Sequence, residues 1–274
     1  MDTRRSRSAI FVFTALALGL SLLYWGLFFL HGRGLLPFDP NSDLMGAIRG
    51  YGPTLAALVT AAAIYGRVGL KDLWLRLKMW RVRPWLLGLA VLGPLAGSAL
   101  LLVLACLSGA DLTPSPEHLP IPKLVLVFVF FAVVDGPIGE EIGWRGFLLP
   151  RLLERHGAIF ASAVLGVIWF AWHLPLYIAT GKFEITLVFF CTYLANNVAF
   201  SFIHTWFFLR SGGSALLAIV LHTAGNYSVF LAVKMFPGIE QSPATQPIYL
   251  GILVAAAILA GFALAREARR GKAG

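Results

Sequence analysis

Long apolar runs alternate along the chain with short polar stretches rich in lysine and arginine. Eight runs stand out, at about 9–30, 45–66, 85–108, 122–142, 158–178, 184–209, 213–234 and 246–265. Each is close to the ~20 residues that cross a bilayer core as a helix. The pattern predicts an all-α, polytopic transmembrane bundle of about eight spans, forming a single integral membrane domain over residues 1–274. The fourth run can continue to about Arg155 as one long tilted helix, which Pro137 and Pro150 would kink or end. Between the second and third runs, Leu70, Leu73, Trp74 and Leu77 fall at helical spacing, with Lys71 and Lys78 towards the other side. That stretch predicts a short interfacial helix, with Trp74, Trp80 and Trp85 near the headgroups.

Composition agrees with a membrane class. The 274 residues are 58% hydrophobic and 13% charged, with a mean hydropathy of +0.80. A soluble domain is roughly 25% charged. The net charge of +9 is spread over short clusters between apolar runs, so it points to the lipid bilayer and not to nucleic acid. With the N-terminus inside, 17 of the 22 lysines and arginines fall on the cytoplasmic side, which predicts that both termini are cytoplasmic. The first run, Ala9 to Leu30, is too long for a signal-peptide core and reads as an uncleaved span. Cys106 and Cys191 lie in apolar runs without CxxC spacing and read as small buried hydrophobes. The expected location is a membrane, the plasma membrane in a prokaryote.

The chemistry concentrates in DGPIGEEIGWRGFLL, Asp135 to Leu149. Charges at bilayer depth cost several kcal/mol and need a partner or a task. Glu140 and Glu141 are adjacent, so on a helix they point about 100° apart. Glu141 and Arg145 are i, i+4 with the acid first, the better order for an ion pair. Two carboxylates in a low dielectric resist ionising together, and Arg145 can hold only one of them fully ionised. This predicts a structural Glu141 and a Glu140 that projects into the bundle as a general base. A purely structural network at the cytoplasmic rim is the alternative. His173 lies late in the fifth run, ahead of Pro175; His222 and Asn226 share a face of the seventh. Asn197, Ser201 and His204 form a polar stripe on the sixth, read mainly as helix packing, with His204 a second candidate. No HExxH occurs, and GGSA at 212–215 is read as a helix start rather than a serine-protease loop. A carboxylate, two imidazoles and an amide suit attack of water on a carbonyl.

EEIGWR, from Glu140 to Arg145, resembles the EExxxR motif of the CAAX protease and bacteriocin-processing (CPBP) family. HTAGN, from His222 to Asn226, resembles its HxxxN motif. WFAWH, ending at His173, resembles its FxxxH motif, but Trp169 stands where the motif has phenylalanine. The resemblance implies an intramembrane endopeptidase in which Glu140, helped by His173, activates water. His222 and Asn226 would stabilise the oxyanion, and Glu141 and Arg145 would support the site. It implies a membrane-associated protein or peptide substrate, prenylated in the CAAX branch, or bacteriocin-related processing or immunity. The cofactor stays open. A mechanism without metal is favoured, because Asn226 supplies a neutral donor that an oxyanion hole would use. Zinc is the alternative, and would be held by Glu140, His173 and His222. Two other functions compete: a transporter or proton-coupled carrier using the same acids and histidines, and a non-catalytic scaffold for a lipidated partner. The chain shows no internal repeat of the kind many carriers have. Residue counting sets one geometric condition. It places Glu140 towards the inside and His173 towards the outside, so they meet only where the fourth span tilts and continues past Gly143.

Overall fold

The computed structural model describes residues 3–40, 49–116, 120–134, 136–181 and 184–270, and among them the chain is helical, without strands. The long helices are α1 (Thr3–Gly32), α2 (Gly52–Leu77), α3 (Pro84–Leu107) and α4 (Ile121–Val133). Next come α5 (Pro137–Gly143), a π-turn (Trp144–Leu148) and α6 (Leu149–Leu153). The last four are α7 (Ala158–Thr180), α8 (Leu187–Arg210), α9 (Ala215–Met235) and α10 (Thr245–Arg270). Counting α4 to α6 as one interrupted span, eight segments are long and apolar enough to cross a membrane. Large apolar side chains such as Phe11, Leu107 and Leu259 face outward, as lipid-facing positions of a bundle do. Cys106 and Cys191 share that outer surface; the expectation that they are buried was wrong, because an apolar run in a membrane helix faces lipid as readily as protein.

Two spans differ from the hydropathy reading. The predicted start of the second span, at 45, lies outside the described residues; its described part opens with a 3-10 turn at Arg49–Tyr51. Its helix then runs on to Leu77, kinked at Gly66 (φ 61°, ψ −143°). The amphipathic stretch is therefore the part of α2 beyond the kink. Leu73 packs in the core, while Trp74, Trp80 and Trp85 are exposed. Ser214 caps α9, its Oγ accepting from Leu217 N–H at 3.1 Å, which agrees with reading GGSA as a helix start.

The fourth span ends at Leu153, eleven residues beyond the shorter expected end at 142 and close to the longer reading to about Arg155. It breaks after Val133 and restarts at Pro137, whose missing N–H is harmless in a first helical turn. Gly136, in the break, has φ 115°, which a side chain would oppose. The helix then widens into the π-turn, with Leu149 N–H bonded to Trp144 C=O. Pro150 has no N–H to continue the α-helical ladder there, and a widened turn is one way to absorb the gap.

The core gathers around this π-turn, every residue of which is buried. Phe13 of α1 meets Trp144 edge-on at 5.5 Å and stacks on Phe147 at 5.3 Å. Leu73 of α2 and Leu165, Trp169 and Trp172 of α7 complete the cluster. Gly139 and Gly143 let α5 lie directly on α2. A Cβ at Gly139 would fall 2.6 Å from the Gly50 carbonyl oxygen, and one at Gly143 2.5 Å from that of Pro53. Thr54 Oγ1 seals the contact by donating to the Gly139 carbonyl at 2.6 Å. Small residues four apart are the usual means of bringing two membrane helices into backbone contact. Here they turn one face of α5 to α2 and send the two glutamates elsewhere.

Candidate active site

Glu140 and Glu141 diverge as adjacent helical positions must, and each meets a different partner. Glu140 Oε2 accepts a hydrogen bond from Trp169 Nε1 at 2.6 Å. Its Oε1 lies over Gly136, where a Cβ would come within 2.5 Å. Glu141 Oε1 accepts from Arg145 at 2.8 Å and lies 2.9 Å from His222 Nδ1. Glu141 and Arg145 are fully buried, so this is an ion pair without solvent. The pairing expected between Glu141 and Arg145 is present, and His222 of α9 adds a second partner.

The depth condition is satisfied by the longer fourth span. At 1.5 Å per residue, Glu140 lies about 20 Å from the Leu153 end and Trp169 about 17 Å from the Ala158 end of α7. The two positions are level. Arg145, counted as a loop residue from hydropathy, is instead a core residue of the π-turn, and Arg151 is also buried, 3.4 Å from Asp72. Asp135, which opens the motif stretch, lies outside the described residues.

Glu140 and His173 line one cavity of about 290 Å³, together with Trp25, Arg49, Trp172 and Thr180. His173 Nδ1 is 3.0 Å from the Trp169 carbonyl. A carbonyl can only accept, so Nδ1 carries a hydrogen and, in the neutral ring, Nε2 is the acceptor. His222 and Asn226 are not among the residues lining this cavity. His222 is drawn to Glu141, and Asn226, one turn on, is half-buried.

Behind Glu141 lies a second group of donors. Among the described residues, Glu141, His204 and His222 offer ligand atoms that all lie within 4.8 Å of one another. This differs from the Glu140, His173 and His222 set suggested by the motifs, because the two glutamates point apart and only Glu141 faces α8 and α9. His204 Nδ1 is 2.9 Å from the Phe200 carbonyl, so in the neutral ring Nε2 is the nitrogen without a hydrogen. That nitrogen and Glu141 Oε2 are buried without a hydrogen bond from the described residues. Sequence reasoning gave His204 mainly to helix packing. The available signal was its polar stripe with Asn197 and Ser201, all three of which are buried.

Trp169 touches both groups. Beyond its bond to Glu140, its ring carries the Arg145 guanidinium at 4.4 Å. It meets His222, His173 and His204 at ring-centroid distances of 5.4, 5.9 and 6.1 Å.

Residues 122–228 match the family model described as type II CAAX prenyl endopeptidase Rce1-like. The chain is also 28% identical over 99 residues to CAAX prenyl protease 2 of Methanococcus maripaludis. That alignment covers 34% of this chain and 36% of the relative, so it spans about a third of the relative's length. The matched segment runs from α4 into α9 and contains Glu140, Glu141, Arg145, Trp169, His173, His204, His222 and Asn226, while Trp25 and Arg49 of the cavity wall lie before it.

Proposed function

From the match of residues 122–228 to the Rce1-like CAAX prenyl endopeptidase model, we propose an intramembrane endopeptidase that hydrolyses a peptide bond of a membrane-associated protein. The observation that carries this reading is the cavity shared by Glu140 and His173, with each side chain held by a bond that leaves a reactive atom free. Glu140 takes a proton from water as the oxygen attacks the scissile carbonyl. His173 Nε2 accepts the other hydrogen of that water and so orients it.

The motif match assigns the developing oxyanion to His222 and Asn226, which stand beside the cavity rather than in its lining, His222 across Trp169 from Glu140. With Nδ1–H directed at Glu141, a neutral His222 has no second N–H. Only the doubly protonated ring donates from Nε2, and the Glu141 carboxylate compensates that charge. Arg145 sets its guanidinium against the same carboxylate, 2.8 Å from Oε1. The proton held by Glu140 then passes to the leaving amine. The substrate class supported by the family match is a prenylated protein or peptide. The match also favours the protease over a carrier or a scaffold.

One observation favours a metal-assisted variant: the carboxylate and two imidazoles of Glu141, His204 and His222 form a zinc-type donor set. A cation held there would act as a Lewis acid on the carbonyl. Against it, Glu141 Oε1 is already engaged by Arg145 and His222, which leaves one carboxylate oxygen.

The test is reconstitution in proteoliposomes with a farnesylated peptide, its unfarnesylated counterpart and mass spectrometry of the released fragment. Cleavage at one bond, lost in Glu140→Gln, is expected. Absence of cleavage of either peptide, by protein shown to be folded, would remove the proposal as stated.

A further inference from the structure

Trp169 occupies the position where the family motif has phenylalanine, and the indole does what a phenyl ring cannot. We propose that Trp169 is a positioning residue for Glu140, its Nε1–H fixing the carboxylate so that one oxygen is held and the other presented for proton transfer. The inference rests on the reading of Glu140 as the general base.

Four observations carry it. The Nε1–Oε2 distance is 2.6 Å, a short charge-assisted bond between buried groups. Oε1 is confined on its other side by Gly136, at a distance that excludes even a Cβ there. The carboxylate is therefore gripped between an N–H and a bare backbone, with one orientation left to it. The indole is itself immobilised: Arg145 lies over its ring, and Arg145 is tied to Glu141. Finally, the Trp169 carbonyl anchors His173 Nδ1, so one residue orients both the base and its helper. A phenylalanine would keep the aromatic wall, the stacking under Arg145 and the backbone carbonyl. It would lose the grip on Glu140.

The test compares wild type with Trp169→Phe and with a protein carrying 3-benzothienylalanine at position 169. The benzothiophene keeps the indole shape and replaces N–H with sulfur. A hydrogen bond to a charged group translates to a roughly 10- to 100-fold effect on rate. The expected result is a fall in kcat of about that size in both variants, with KM within about threefold of wild type and unchanged thermal unfolding of the benzothienyl protein. A benzothienyl protein with kcat within about twofold of wild type would overturn the proposal. So would a loss of kcat that only tracks the folded fraction. An inactive wild type counts instead against the protease reading itself, so the two failures are distinct.

Discussion

The two adjacent glutamates differ in what their removal leaves behind. Glu140→Gln keeps shape and leaves Trp169 N–H a carbonyl to donate to, so folding and insertion should be retained. Activity should fall by about 10²–10⁴-fold, the usual contribution of a general base. Glu141→Gln strands Arg145 and His222 in a dry interior, where an uncompensated charge costs about 3–5 kcal/mol. Its midpoint of thermal unfolding in detergent should therefore drop well below that of Glu140→Gln, and activity should fall with it. Equal stabilities for the two variants would contradict the division of roles. Metal removal is a separate residue-scale test. With Glu140 as base and Glu141 Oε1 already engaged, protein stripped by a strong chelator and shown metal-free by elemental analysis should still cleave its substrate. Activity that returns only with added zinc would make Glu141, His204 and His222 ligands.

At the scale of elements, the helix-forming pattern and its approximate edges were legible, because lipid requires every spanning segment to satisfy its own backbone. The motif residues were legible too, as charges and imidazoles that apolar spans do not keep idly. The sequence allowed the fourth span to continue to about Arg155, close to the Leu153 end it has, but hydropathy alone could not choose that reading over an end near 142. The charges of the buried Glu141 and Arg145 cancel in space but both count against a span in a hydropathy window. The capture of His222 by Glu141, and the place of His204 beside it, depend on which faces α8 and α9 turn inward, which a single polar residue does not declare. The α2–α5 contact offers an element-scale prediction. Gly143→Ala would drive a methyl against the Pro53 carbonyl and separate the two helices. Its Cβ has no flexible side chain to displace, so a loss of stability of about 1–3 kcal/mol is expected from overpacking. Unfolding and activity measurements on Gly143→Ala beside Gly88→Ala, where a Cβ meets nothing within 4 Å, would check it.

For the whole molecule, eight crossings would put both termini on one side, and the expectation that this side is the cytoplasm rests on the basic clusters in the sequence. Moving Arg145 and Arg151 from loop to core lowers the cytoplasmic count from 17 to 15 and leaves the bias intact. Single cysteines at positions 5 and 272, in a background lacking Cys106 and Cys191, should be labelled only from the cytoplasmic face; labelling of either from outside would reject eight crossings. The interruption of the fourth span also bears on how the protein is made. Its apolar part, α4, has 13 residues and reaches about 20 Å, short of a bilayer core of ~30 Å. The remainder carries Glu140, Glu141, Arg145 and Arg151, and buried acids and arginines are what an insertion machinery rejects. During synthesis this segment has no partners until Trp169 on α7 and His222 on α9 exist. Its entry into the bilayer should therefore wait for later helices, and the active-site motif should be among the last parts of the chain to leave water. A ribosome-stalled chain that stops before α9 has emerged should leave a cysteine at position 147 open to an aqueous thiol reagent, and a chain stalled after α9 has emerged should protect it.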